Sequence, residues 1–172
     1  MKKSYRTLEF SFIQDYIKNY CFSEMAKKRI DQIKPFQDMD DLKLYQDDIS
    51  SAMKIIYAYG RIPLAPYEDI KEILQKAQKG GVCYPQDLLK IVQILKNVQE
   101  VQAYLDQEIE QSHLLEILSL LYLPKDLYNE ILKCVDPSGN IYDHASHELY
   151  RLRRQISAIE TNMRKKIEAL RA

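Results

Sequence analysis

The sequence predicts an all-α fold: a multi-helix bundle closed by a long C-terminal helix of coiled-coil type. Three observations carry the fold class. Apolar residues recur at three- and four-residue steps along nearly the whole chain, the spacing that lines one face of an α-helix. Four glycines and six prolines in 172 residues leave few of the turns that sheets need. No run alternates apolar and polar residues between turn signals, and only "NIYD" (140–143) is expected to pair, over a few residues, with an extended stretch elsewhere.

The elements follow in order. Leu8, Phe12, Ile13, Tyr16, Ile17 and Tyr20 line a first helix capped by Thr7. Ser23 caps a second, through Met25, Ala26, Ile30 and Ile33, which Pro35 stops. A third runs from about Asp40 with Leu42, Tyr45, Ile49, Met53, Ile56 and Tyr59 inward, and Gly60 ends it. After the two-proline loop "RIPLAPYED", a short helix starts at Pro66 or Tyr67 and stops at Gly80-Gly81. Pro85 opens a long helix at the position where its missing N–H costs nothing, and Leu88, Leu89, Ile91, Val92, Leu95, Val98, Val101, Tyr104 and Leu105 give it a broad apolar face. Two more helices are expected around Ser112–Tyr122 and Lys125–Val135, divided by Pro124. "DPSGN" is a turn, and Ser146 caps the last helix with Glu148 in its first turn.

That last helix differs in kind. Leu149, Leu152, Ile156, Ile159, Met163 and Leu170 keep the heptad alternation of three and four; Lys166 breaks one seam position, and Ile167 beside it partly repairs the break. A helix from His147 to Ala172 is about 39 Å long, longer than a 140-residue core is expected to be wide, so part of it projects. The division expected is a helical core at 1–143 and the start of a coiled-coil arm at 144–172.

Composition narrows the function. Lys+Arg and Asp+Glu balance at 25 each, but from His144 onward seven basic residues face three acidic ones, which points to an anionic partner at this end. Cys21, Cys83 and Cys134 are scattered and odd in number, as reduced thiols are, and form neither a zinc pattern nor a disulfide framework. The amino-terminal stretch has no apolar core of signal-peptide length, and "ILSLLYL" is too short to span a bilayer, so a cytoplasmic protein is expected. No GxxxxGK[ST] occurs, no nuclease motif, and no nucleophile–base–orienter set, so neither catalysis nor a cofactor or small-molecule substrate is expected of this chain.

The main binding candidate is the cationic set Arg151, Arg153, Arg154, Arg164, Lys165 and Lys166, which can meet phosphates or simply keep an outer face solvated. In "DHASHE", Asp143 and Ser146 organise a turn and cap in preference to His144 and His147 holding a metal. The thirteen tyrosines fall mostly on apolar helical faces and fit core filling better than base stacking. Asp40-Asp41 and Asp47-Asp48 cap or solvate helices, and His113 is given no role.

"TLEF", "IKPFQDMDDL", "AQKGGVCYPQDLLKIVQIL" and "GNIYDHASHELYRLRRQI" occur in an order and spacing that resembles the amino-terminal region of the MutS-two family, from Thr7 to about Ala169. The resemblance implies a helical core with lever helices rising into a coiled-coil clamp, followed in the whole protein by an ABC-type ATPase using ATP and Mg and by an Smr endonuclease domain. It implies a homodimer acting on branched DNA, collided ribosomes or both, in suppression of recombination and ribosome quality control. On this view the last helix is one arm of an antiparallel pair, and the chain is non-catalytic. The alternative is a free-standing helical adaptor that dimerises through the Leu149–Leu170 seam.

Overall fold

The computed structural model describes residues 9–105 and 112–171. Thr7 and Leu8, expected to open the first helix, and Ala172, expected to close the last, lie outside the described residues. Among the described residues are eight α-helices: α1 (Phe10–Lys18), α2 (Glu24–Asp31), α3 (Met39–Tyr59), α4 (Lys71–Gln78), α5 (Pro85–Leu105), α6 (His113–Ser119), α7 (Lys125–Cys134) and α8 (His147–Arg171). A single 3-10 turn, Asp143–Ala145, precedes α8. The described residues form no strand, and the pairing expected at "NIYD" is one antiparallel bridge between Val135 and Ile141.

Helix boundaries follow side-chain chemistry. The hydroxyls of Ser23, Ser112 and Ser146 accept from the backbone N–H groups of Ala26 (3.1 Å), Leu115 (3.3 Å) and Leu149 (3.1 Å), each satisfying a donor the first turn leaves open. Pro85 is the first residue of α5. Gly60 ends α3 at φ 83°, a left-handed conformation that a side chain would strain.

The core is built around α5. Leu95, Val101 and Tyr104 are buried there, together with Ile55 of α3, Ile131 of α7, and Leu123 and Val135 at the ends of connectors. Polar side chains of α5 also pin the connecting segments. Asn97, almost wholly buried, accepts from Ala65 N–H (3.0 Å) and donates to Ala65 C=O (2.9 Å). Gln102 donates to Leu121 C=O (2.8 Å), and the Tyr104 hydroxyl donates to Gly60 C=O (2.8 Å). Burial raises the Tyr104 hydroxyl's pKa above its ordinary value, which keeps it a donor.

Two expectations are corrected here. The helix expected from Pro66 or Tyr67 begins only at Lys71, because Asn97 holds both backbone groups of Ala65 and the Tyr67 N–H bonds the Phe22 carbonyl (3.3 Å). The inward face of α3 is also displaced. Ile55 is buried and Ser51 and Ala52 are half-buried, whereas Tyr45, Ile49, Met53 and Ile56, expected inward, are exposed. The core face lies about 100° around the helix from the apolar stripe that periodicity picks out. Contacts from outside α3 select it: the His113 Nδ1 lies 3.0 Å from both carboxylate oxygens of Asp48, and the Tyr104 hydroxyl reaches Gly60 at the end of the helix. The apolar residues of α1, from Phe12 to Ile17, and Tyr20 just beyond it are likewise more exposed than an inward stripe would be.

Candidate functional site

The base of α8 is assembled from a turn that the sequence specifies closely. The Asp136 carboxylate accepts from Ser138 N–H (2.8 Å), Asn140 N–H (2.9 Å) and the Asn140 side-chain amide (3.2 Å). These donors, the Asn140 N–H foremost, hold its pKa below the ordinary carboxylate value. Gly139 turns the chain at φ 84°, and a Cβ there would lie 3.3 Å from the Gln86 amide nitrogen of α5, so the turn sits directly on the central helix. The Tyr142 N–H then bonds the Cys134 carbonyl (2.9 Å), returning the chain to the end of α7.

From the second turn of α8, Arg153 reaches back ten residues. Its guanidinium donates to the Ile141 carbonyl (2.9 Å) and pairs with the Asp143 carboxylate. Asp143 thus organises the turn, as expected, through Arg153, one of the candidate phosphate contacts. Leu149 is half-buried at this junction. Beyond it the seam is open: Leu152, Ile156, Ile159, Met163 and Leu170 are exposed, from 44% at Leu152 to 88% at Leu170.

The six candidate cations do not share one face. At 100° per residue, Arg151, Arg154 and Lys165 fall roughly opposite the seam, Arg153 and Arg164 flank it on one side, and Lys166, at a heptad seam position, lies on its other edge. Arg151 lies 3.9 Å from Glu148, and the Arg154 guanidinium rests 5.7 Å from the centre of the Tyr150 ring. Arg164, Lys165 and Lys166 form no ion pair with any described residue. His144 stacks on Tyr142 (centroids 4.9 Å apart), and no cluster of three or more His, Cys, Asp or Glu among the described residues is placed to hold a metal ion. Cys21, Cys83 and Cys134 are free and half-buried. None of the helices among the described residues is long and apolar enough to cross a membrane.

Comparison with known proteins bears on the family. No family model matches the chain. It is similar, however, to proteins named Endonuclease MutS2. The one from Clostridium botulinum (strain Alaska E43) is 30% identical over 172 residues, covering 98% of this chain. Those from Halothermothrix orenii and Halalkalibacterium halodurans are 30% identical over 178 residues and 27% over 175, covering 98% and 99%. Its homologues are MutS2 proteins, matched over nearly the whole of this chain. The chain spans 22% of the length of these relatives.

The structure gives physical reasons for the two stretches that carry most of the MutS2 resemblance. In "AQKGGVCYPQDLL", Gly80 adopts φ 76°, and a Cβ on Gly81 would come within 2.9 Å of the Lys76 carbonyl, so both glycines are dictated by the backbone. The Asp87 carboxylate caps α5 by accepting from Tyr84 N–H (3.0 Å), with the Lys76 ammonium 3.7 Å away and 4.5 Å from the centre of the Tyr84 ring. In "GNIYDHASHELYRLRRQI", Gly139, Asp143, Ser146 and Arg153 form the seat of α8 described above.

Proposed function

We propose that this chain is the non-catalytic core-and-lever part of a MutS2 protein. Residues 1–143 form the core, and 144–172 begin an arm that is completed by a second, antiparallel helix supplied by the remainder of the protein. The arm transmits nucleotide-driven motion of an ATPase elsewhere in that protein to a clamp on branched DNA or collided ribosomes. One observation carries the reading: α8 is seated by specific contacts at its first two turns, while its apolar seam stands uncovered for the rest of its length. A stripe of that extent is a surface to be covered. ATP, Mg and nuclease chemistry belong, on this reading, to the whole protein, and the chain on its own turns over neither ATP nor DNA.

The face opposite the seam supplies the nucleic-acid contact through Arg151, Arg154 and Lys165. Three phosphate contacts give a log–log salt slope of roughly −2.7, so affinity for a labelled four-way junction falls about 40-fold between about 50 and 200 mM salt. Arg154→Glu with Lys165→Glu flattens that slope. Fluorescence anisotropy measures both, with ribosome pelleting as the parallel arm. Salt-independent or absent binding in both arms overturns the contact, and measurable ATP or junction cleavage by the chain overturns the non-catalytic assignment.

A further inference from the structure

Lys166 occupies a seam position in a stripe otherwise made of Leu149, Leu152, Ile156, Ile159, Met163 and Leu170. We propose that this lysine selects the helix covering α8: an antiparallel amphipathic helix with a carboxylate at the seam position facing Lys166, which fixes the register of the pair. The proposal rests on the reading of α8 as half of a two-helix arm.

The helix itself offers Lys166 no counter-charge. The positions that face it from one turn away are Asn162, Met163, Ala169 and Leu170, none of them acidic. Within two residues of it in sequence stand two cations without an ion-pair partner among the described residues, Arg164 and Lys165, and one acid, Glu168, so the net charge of the distal turns is positive. Closing an apolar helix over Lys166 strips water from an ammonium and returns nothing unless the covering helix brings an acid. A lone polar residue in a heptad seam penalises every alignment but the one that satisfies it. A second copy of α8 in parallel register sets Lys166 against Lys166, so charge argues against self-pairing in that arrangement and for a partner that is acidic where it meets the tip.

The test uses two synthetic helices of about four heptads, with leucine seams and neutral flanks, identical except for Glu or Lys facing Lys166 in the antiparallel alignment. Binding to the intact chain is followed by fluorescence anisotropy. The Glu helix is expected to bind at least about tenfold tighter, Lys166→Glu to reverse the preference, and Lys166→Leu to erase it. Lys166 is exposed, so these variants leave the core untouched, and circular dichroism checks that they do. Equal affinities with Lys166 intact overturn the inference and leave the arm reading standing, the lysine then reaching past its partner into water. Failure of both helices to bind overturns the arm reading with it. If Lys166→Glu weakens junction binding but moves neither helix affinity, Lys166 is a phosphate contact and the inference fails.

Discussion

Arg153 gives the sharpest test of how α8 is seated. Truncating it to alanine removes a guanidinium hydrogen bond to the Ile141 carbonyl (2.9 Å) and the ion pair with Asp143. The hydrogen bond contributes about 1 kcal/mol. The ion pair joins side chains that are 40% and 65% exposed, so screening limits it to at most about 1 kcal/mol. Together they make about 1–2 kcal/mol, which raises the population of the open base roughly 5–30-fold. None of the lost contacts touches Ile55, Leu95, Val101 or Ile131, so the core holds. Amide hydrogen exchange is the assay: exchange across residues 139–153 quickens by that factor while α5 keeps its protection. Asp143→Asn, which removes the ion pair and spares the bond to Ile141, moves exchange by less than half as much on the free-energy scale. Unchanged exchange at the base, or a uniform loss of protection through α5, refutes the assignment of Arg153 as the seat of the arm.

Other measurements test the remaining structure. Asn97→Ala leaves the N–H and C=O of Ala65 without their partner, and at about 1–3 kcal/mol per orphaned group the domain loses roughly 2–6 kcal/mol in urea unfolding; a loss below about 0.5 kcal/mol, the scale of a surface change, shows that segment 62–70 is not held this way. Asp136 has a folded-state pKa below its unfolded one, so its stabilisation is present above about 3.8 and is lost as pH falls through the folded value. Wild-type chain therefore loses stability relative to Asp136→Asn only on acidification below that point, as paired urea titrations over the acid range would show. Burial separates two isoleucines: Ile131→Ala, at 6% exposure, costs about 2–5 kcal/mol. Ile159→Lys, at 60% exposure, shifts chain stability within about 0.5 kcal/mol. A larger loss at Ile159 means that the seam is already covered, by self-association if the loss grows with protein concentration.

Local chemistry was legible wherever one residue type answers one geometric demand. Ser23, Ser112 and Ser146 mark helix starts because a short hydroxyl reaches the open N–H groups of the first turn, and Gly60 and Gly80 mark ends because φ is positive there. What failed depended on partners distant in sequence. Helix α3 carries both a long apolar stripe, Tyr45–Ile56, and the smaller surface formed by Ser51, Ala52 and Ile55; periodicity favours the larger, whereas contacts from Tyr104 and His113 seat the smaller. Asn97 looks like any polar residue on an amphipathic helix until the connecting segment at 62–70 arrives beside it, with Ala65 32 residues away in sequence. The division of the cations was readable in principle, since their angles follow from numbering alone. Counting them as one basic set concealed that Arg153 faces its own turn and Lys166 the seam.

The strength of the contacts at each point along the molecule bears on how an arm of this kind moves. The core is tied by buried groups whose loss leaves unpaired polar atoms, at Asn97 and Tyr104, and by the apolar cluster of Leu95, Val101, Ile131 and Val135. The seat of α8 is tied by a cap, one guanidinium bond and a solvent-accessible ion pair. Past Arg153 the described residues show the helix holding to its own backbone ladder and near-neighbour contacts such as Thr161 Oγ1 to the Ser157 carbonyl, without the tertiary packing that gives helices in proteins most of their stability. A partner packed on the seam therefore adds to the arm the tertiary stabilisation it lacks, and a displacement of that partner meets its least resistance at residues 141–153. On the proposed reading of α8 as a lever, motion entering through the seam rotates it about its seat before it disturbs α5. Coupling in the reverse direction follows if the seat has two stable arrangements, because whatever biases one of them also biases the angle at which the seam is presented.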